Sequence, residues 1–188
     1  MQQDFLDSTR KMFRYYEHLG RRTLDQLSDD QITHEPGDGS NSIEVLVRHL
    51  SGNMLSRWTD FLTSDGEKPW RDRDSEFEAP DDTRAELEER WDRGWACLFG
   101  ALDALSTDDL DRTVRIRNLE HTVIEAIQRQ LGHYAYHVGQ IVYVGRLMRG
   151  EAWETLSVAR GASKEYNAKE FARGDHRGHF SDEFVDRE

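Results

Sequence analysis

Apolar residues recur every three or four positions along four long segments, and this spacing constrains the fold more than any other feature. It matches the 3.6-residue turn of an α-helix whose apolar stripe faces a core. The helices predicted from it span residues 4–27, 42–63, 83–105 and 123–148. Three of the predicted helix starts have capping-box spacing, with a glutamate three residues after Asn41, Thr83 and Thr122. We therefore predict an all-α fold, a four-helix bundle.

The segments between these helices predict how the chain is organised. A charged connector of about 18 residues, DGEKPWRDRDSEFEAPDD, separates the second and third helices, which indicates that they do not form a simple helical hairpin. The weak alternation in RTVRIRNLEH indicates a short β-hairpin. We predict one domain over residues 1–172, with residues 153–167 packed on the bundle, and a mobile polar tail over residues 173–188.

Charge and cysteine content exclude several functional classes. The net charge of -12 argues against binding to nucleic acids or anionic membranes, because both require a cationic face. The longest uncharged run, Gln130–Gly145, is too short and too polar to span a bilayer. The single cysteine, Cys97, rules out an internal disulfide, and the N-terminus does not resemble a secretory signal. We therefore expect a cytoplasmic protein with neither nucleic-acid nor membrane partners.

Two histidines lie four positions apart in the most apolar segment, HYAYHVGQ. His133 and His137 lie one above the other on a helix, so that both rings can reach a common atom. His49, on the predicted second helix, lies within about one or two turns of the same height if the helices pack side by side. Three neutral imidazoles would hold a divalent ion and leave coordination positions open. Hydrogen-bonded core histidines are the alternative explanation.

Three amide side chains lie one helical turn from these histidines and are candidates to orient a bound water or substrate: Asn53, Gln140 and, more weakly, Gln130. No Asp or Glu lies on the histidine-bearing face of the predicted helices. A metal-bound water or thiol is therefore the predicted nucleophile.

The acidic residues of the connector are a weaker metal-binding candidate. Asp72, Asp74 and Glu76 alternate with Arg71 and Arg73, a pattern that favours a solvated loop or interface salt bridges. The remaining histidines and the cysteine are predicted to be local hydrogen-bonding groups, surface rings or core residues.

The sequence resembles the DinB/YfiT-like superfamily over roughly residues 1–170. The resemblance rests on NSIEVLVRHLSGN, RWTDFLTSDGEKPWRDRDSEF and RQLGHYAYHVGQIVYV, and on the HxxxH motif followed by Gly-Gln. It implies a four-helix bundle, usually homodimeric, with a divalent metal held by His49, His133 and His137. It also implies metal-dependent chemistry, since relatives include thiol transferases and thiol-dependent isomerases. The branch it resembles most has no known activity.

Two functional hypotheses follow. The first is a metal-dependent enzyme in which an activated thiol or water attacks a small electrophile, as in a thiol S-transferase or a hydrolase. Zinc or nickel suits such a site best, with iron or manganese as alternatives, and the thiol would be a low-molecular-weight one. The second is a non-catalytic homodimer that holds a metal or a small ligand. The resemblance and the aromatic residues of the second and third helices both favour a dimer.

Overall fold

The computed structural model describes residues 2–78 and 81–185. These residues are mostly helical, as predicted, and include a single small sheet. The α-helices are α1 (Gln2–Leu24), α2 (Asp29–Thr33), α3 (Ile43–Trp58), α4 (Arg84–Asp103), α5 (Val123–Arg149), α6 (Ser163–Ala172) and α7 (Asp182–Val185). The strands are β1 (Thr113–Ile116) and β2 (Leu119–Thr122), and 3-10 turns span Asp74–Phe77, Thr107–Asp109 and Gly150–Ala152.

Helices α3 and α4 pack directly against each other and run in the same direction. Ser51 near the middle of α3 donates to the carbonyl of Arg90, and Thr59 just after α3 lies 3.6 Å from Cys97 further along α4. Parallel neighbours cannot be joined by a short turn, so the chain must return along the full length of α3 before α4 begins. The prediction that the connector does not form a helical hairpin is confirmed.

Aromatic rings fill the centre of the core where the long helices meet. Phe13 of α1 lies 6.1 Å from the ring of Trp58 and 5.9 Å from the ring of Tyr134 on α5. Trp91 and Trp95 of α4 are also buried in this cluster. The aromatic residues of α3 and α4 that were predicted to form a dimer surface therefore belong largely to the core.

Helix α3 ends at Trp58, five residues before the predicted end at position 63. Thr59 is extended, and Asp60 has a φ of 50°, which breaks the helical hydrogen-bond pattern. Phe61 and Leu62 are nevertheless packed on the core, and this burial produced the apparent continuation of the helical period. The first helix likewise ends at Leu24 rather than at 27, and the sequence did not predict the short α2.

The predicted β-hairpin is confirmed. Strands β1 and β2 pair antiparallel, and the two turn residues, Arg117 and Asn118, have φ values of 56° and 61°. Such values are those of a type I′ turn. The carboxylate of Asp65 accepts the backbone N–H groups of both turn residues at 2.8 Å and thereby fixes the hairpin to the connector.

The C-terminal segment contacts α1 and α5. The ring of Trp153 packs beside Gly145, and Glu154 exchanges two hydrogen bonds with Gln26. Further along, α7 lies on α1, where Lys11 forms an ion pair with Asp182 at 2.7 Å. The mobility of the tail after residue 173 stays a prediction, and its last three residues, 186–188, lie outside the described residues.

No helix within the described residues has both the length and the apolar character required to cross a membrane.

Candidate metal centre

Helices α3 and α5 bring the three predicted histidines together. One nitrogen from each of His49, His133 and His137 lies within 4.8 Å of the others, so the group could hold a metal ion. The Nε2 atoms of His49 and His133 are 3.4 Å apart. His49 is buried, whereas the two rings on α5 are half-buried. The cluster therefore has a closed side against α3 and a more open side along α5.

A carboxylate from the connector orients His49. Glu76, in the 3-10 turn Asp74–Phe77, places Oε2 at 2.8 Å from Nδ1 of His49. Arg71 in turn donates to both oxygens of Glu76, at 2.8 and 2.9 Å. With its Nδ1 proton directed at Glu76, His49 presents the lone pair of Nε2 to the other two rings.

Glycine at position 52 makes room for this carboxylate. A Cβ atom on Gly52 would overlap with Oε1 of Glu76. Gly52 lies on the helix that carries His49, so a methyl group at this position would force the Glu76 carboxylate to shift.

Gln140 fixes the ring of His137 in the way that Glu76 fixes the ring of His49. Its Oε1 lies 2.7 Å from Nδ1 of His137, so the ring donates its proton there and Nε2 remains free to bind. The sequence placed Gln140 near the site but predicted that it would orient a water or substrate. Its described contact is with the histidine, and a contact with substrate stays a prediction.

His133 has the most perturbed environment of the three. Its pKa is lowered to about 3, mainly by burial and to a smaller extent by the neighbouring His137, His49, Arg57 and Arg71. Burial likewise lowers the pKa of His137. Both rings are therefore neutral near pH 7, which is the form that binds metals.

Two buried polar atoms near His133 lack hydrogen-bond partners within the described residues: its own Nδ1 and Oε1 of Gln130. They lie one helical turn apart on α5, and buried groups of this kind normally find partners. Asn53, the third predicted amide, accepts a hydrogen bond from the hydroxyl of buried Tyr134 at 3.0 Å. Roles of Gln130 and Asn53 toward a substrate stay predictions.

The geometry can be compared with that of a real metal site. Two nitrogens bound to one tetrahedral ion at about 2.1 Å lie roughly 3.4 Å apart. The Nε2 atoms of His49 and His133 already have that separation. The fixed Nδ1 protons of His49 and His137 leave two Nε2 lone pairs for an ion. The residues present therefore fit a divalent metal.

A family model described as a protein of unknown function, DUF1572, matches residues 1–162. The chain belongs to the DUF1572 family. No curated protein matches it. The three histidines, Glu76 and Gln140 all lie inside the matched region, whereas α6 and α7 lie beyond it.

Two aromatic rings and a cation border the centre in this DUF1572 chain. The ring of Phe77 lies 4.9 Å from the ring of His49, and the guanidinium of Arg73 lies 4.9 Å from the centre of the Phe77 ring. On α5, the exposed ring of Tyr136 lies 4.8 Å from the ring of His137. After burial and His49, Arg73 also lowers the pKa of His137, so its positive charge acts on the centre.

Sequence reasoning missed Glu76 and Arg71 as parts of the DUF1572 centre. The alternation of charges in the connector predicted a solvated loop or interface salt bridges. Arg71 and Glu76 do form a salt bridge, but their side chains are buried and Glu76 contacts a histidine. One sequence feature could have indicated them. Glu76 is followed by the apolar Phe77, within a connector that has to run back along α3, so this part of the connector was a candidate for burial against that helix. No Asp or Glu lies on the histidine-bearing faces of the helices, but the connector brings the Glu76 carboxylate to His49 from outside them.

Proposed function

We propose that this protein is a metal-dependent enzyme of the DinB/YfiT-like, four-helix-bundle type. Its nucleophile is a thiol or water activated at a centre held by His49, His133 and His137, and its substrate is a small electrophile. The observation that supports this most is the orientation of the rings. Glu76 and Gln140 hold the Nδ1 protons of two histidines, so that their Nε2 lone pairs face the third.

Each protein group has a distinct task in this proposal. The three histidines would hold a divalent ion, zinc or nickel best, which when bound would acidify a water or thiol enough to make it a nucleophile at neutral pH. Glu76 is bonded to both His49 and Arg71, so it serves to orient a ligand rather than to take a proton from substrate. Phe77 and Arg73 form the opening, where an apolar body and an anionic group of a small thiol can be accommodated.

The metal assignment is tested first. Protein purified without a histidine tag should contain one divalent ion per chain by elemental analysis. Alanine at all three histidines should remove the ion and retain most of the helicity, because packing of the long helices supplies most of the stability. His18→Ala, on α1, which carries none of the three histidines, serves as the control and should keep the ion. Stoichiometric metal in the triple variant would refute the assignment.

The activity is tested by offering the metal-loaded protein several low-molecular-weight thiols with small electrophiles, and hydrolysable substrates without a thiol. Turnover should depend on added metal and should be lost in His137→Ala. Turnover that persists in this variant would place the chemistry elsewhere.

The second candidate is a non-catalytic homodimeric module that holds a metal or a small ligand. The 3.4 Å contact between Nε2 of His49 and Nε2 of His133 is also a hydrogen-bond distance, so the centre can be satisfied without an ion. Metal retention with no turnover on any substrate pair would favour this candidate. With either function we propose a homodimer located in the cytoplasm, consistent with the single cysteine.

A further inference from the structure

The outward face of α5 carries large apolar side chains that nothing covers within the described residues. Tyr136 is 63 % exposed, Tyr143 is 72 % exposed and Leu147 is 54 % exposed. Residues at these positions, together with Gly132 and Gly139, lie within an arc of about 80° on the helix. This stripe points away from the core-facing side of α5, and it contains three of the seven large apolar side chains that are exposed within the described residues.

Small and large residues alternate along the stripe in a symmetric way. A Cβ atom at Gly132 or Gly139 would meet nothing within 4 Å, so both glycines leave open notches between the larger side chains. Gly132 and Leu147 lie at equal distances from the midpoint between Gly139 and Gln140, and so do Tyr136 and Tyr143. A helix with this arrangement is complementary to a second copy of itself that runs in the opposite direction.

We propose that α5 forms a two-fold antiparallel interface with α5 of a second copy of this chain. Leu147 of each copy fills the notch at Gly132 of the other, and Tyr136 packs against the other copy's Tyr143. The same symmetry brings exposed Arg129 opposite Gly150 of the other copy, next to exposed Glu151, which adds charge complementarity at both ends. This proposal names the surface for the dimer proposed above.

The interface would lie next to the metal centre. Gln140, at the proposed two-fold axis, holds His137, and Tyr136 contacts the same ring. The second copy would therefore cover the outer side of these two residues and narrow the opening of the site. Dimerisation would in this way complete the pocket without adding a metal ligand.

Sedimentation equilibrium of the full chain at micromolar concentration tests the surface, with and without a chelator. The wild type should be a dimer in both conditions, so that the result does not depend on the metal proposal. Tyr143→Glu should shift the equilibrium toward monomer by at least tenfold in Kd. Phe171→Glu, a change at an exposed aromatic residue on α6, is the matched control and should remain dimeric. A monomeric wild type, or a Tyr143→Glu dimer of unchanged Kd, would overturn the proposal.

Charge-exchange and crosslinking variants test how the two α5 helices are aligned, independently of the Tyr143→Glu result. Arg129→Glu should weaken the dimer, and Arg129→Glu combined with Glu151→Arg should restore it. In a Cys97→Ser background, Gly139→Cys should form a disulfide-linked dimer under mild oxidation, because the residue lies beside the axis. Gly100→Cys on α4 is the control and should crosslink much more slowly. Equal crosslinking of the two variants, or no rescue by the charge exchange, would exclude this register.

Discussion

At the scale of single residues, the centre depends on groups that fix the histidines rather than on the histidines alone. Glu76 reaches His49 from a segment 27 positions along the chain, and Arg71 holds it there with two hydrogen bonds. A carboxylate bonded to the far nitrogen of a ligating imidazole fixes the tautomer and raises its basicity. Glu76 is therefore expected to influence metal affinity without touching the ion.

Glu76→Gln should reduce metal affinity by roughly 10–100-fold, because a neutral amide orients the ring less firmly and does not raise its basicity. Competition with a chromophoric chelator measures the change. Asp74→Asn, an exposed position in the same 3-10 turn, should have no effect. Equal affinities for the Glu76→Gln variant and wild type would show that this contact does not support the metal.

Metal release should occur at a lower pH than for an exposed histidine cluster. Free imidazole has a pKa near 6.5. Burial lowers the pKa of His133 to about 3 and also lowers that of His137, so protons compete with the ion only at more acidic pH. We expect the ion to remain bound below pH 6.5, as measured by equilibrium dialysis with circular dichroism as a check of folding. Release with a midpoint at or above pH 6.5 would contradict this.

The same pKa shifts predict the pH dependence of the metal-free protein. The pKa of His133 is lower in the folded chain than in the unfolded chain, so the unfolded chain binds more protons as the pH falls. The stability contribution of a neutral, buried His133 is thus complete above pH 6.5 and is lost progressively from pH 6.5 toward about 3. His133→Gln should flatten this part of the curve of melting temperature against pH. A wild-type curve that is level from pH 6.5 to 4 would argue against the shift.

At the scale of elements, the position of the connector relative to α3 decides whether the centre forms. The four long helices lie where they were predicted. They could be predicted because the apolar spacing of an amphipathic helix is a local property of the sequence. The contact between the connector and His49 was not readable, since it depends on where the Glu76 side chain fits against Gly52. The end of α3 was also not predicted correctly. Phe61 lies in the turn after the helix but packs on the core, so the apolar spacing continues past the last helical residue.

Gly52→Ala should displace Glu76 and weaken metal binding while it leaves α3 intact, since alanine favours a helix more than glycine does. Isothermal titration with metal measures the loss. Gly100→Ala on α4, where the new methyl group meets nothing within 4 Å, is the control and should stabilise the protein by about 0.5–1 kcal/mol. Unchanged metal affinity in Gly52→Ala would show that the connector tolerates the methyl group.

Asp65→Ala should loosen the β-hairpin, because its carboxylate accepts backbone N–H groups from Glu67 and from both residues of the turn. We expect a melting temperature lower by a few degrees and faster amide exchange at positions 113–122, with the rest of the chain unaffected. Asp111→Ala, at an exposed position before β1, provides the comparison. Uniform exchange rates in the two variants would exclude this anchoring role.

At the scale of the whole molecule, composition predicted a polar C-terminal tail but not its contacts. Phe180 and Phe184 place their rings 5.2 and 5.9 Å from that of Tyr15 on α1, and Ser181 is buried between them. Two aromatic residues within a charged segment form such a contact even when no helical period is visible. The sequence-based domain boundary at residue 172 stays a prediction for solution experiments.

Limited proteolysis should cut first after residue 173 and leave the segment 153–167 attached, because Trp153 and Glu154 are fixed against α5 and α1. Mass spectrometry of the early fragments identifies the cut. Early cleavage within 153–167 would contradict the docking. A variant that ends at residue 172 should bind metal as the full chain does, since the histidines and Glu76 precede the removed part.

The sequence distance between the histidines has a further consequence. His49 and His133 are 84 positions apart, so an ion bound by both closes a long loop in the chain. A permanent crosslink over a loop of that size restricts the unfolded chain by about 4–5 kcal/mol in the chain-entropy description. An ion is a reversible version of that crosslink, weakened to the extent that it also binds the unfolded chain. The stability of this protein would then depend on the supply of the metal, and scarcity of the ion would raise the fraction of unfolded chains that proteases can degrade.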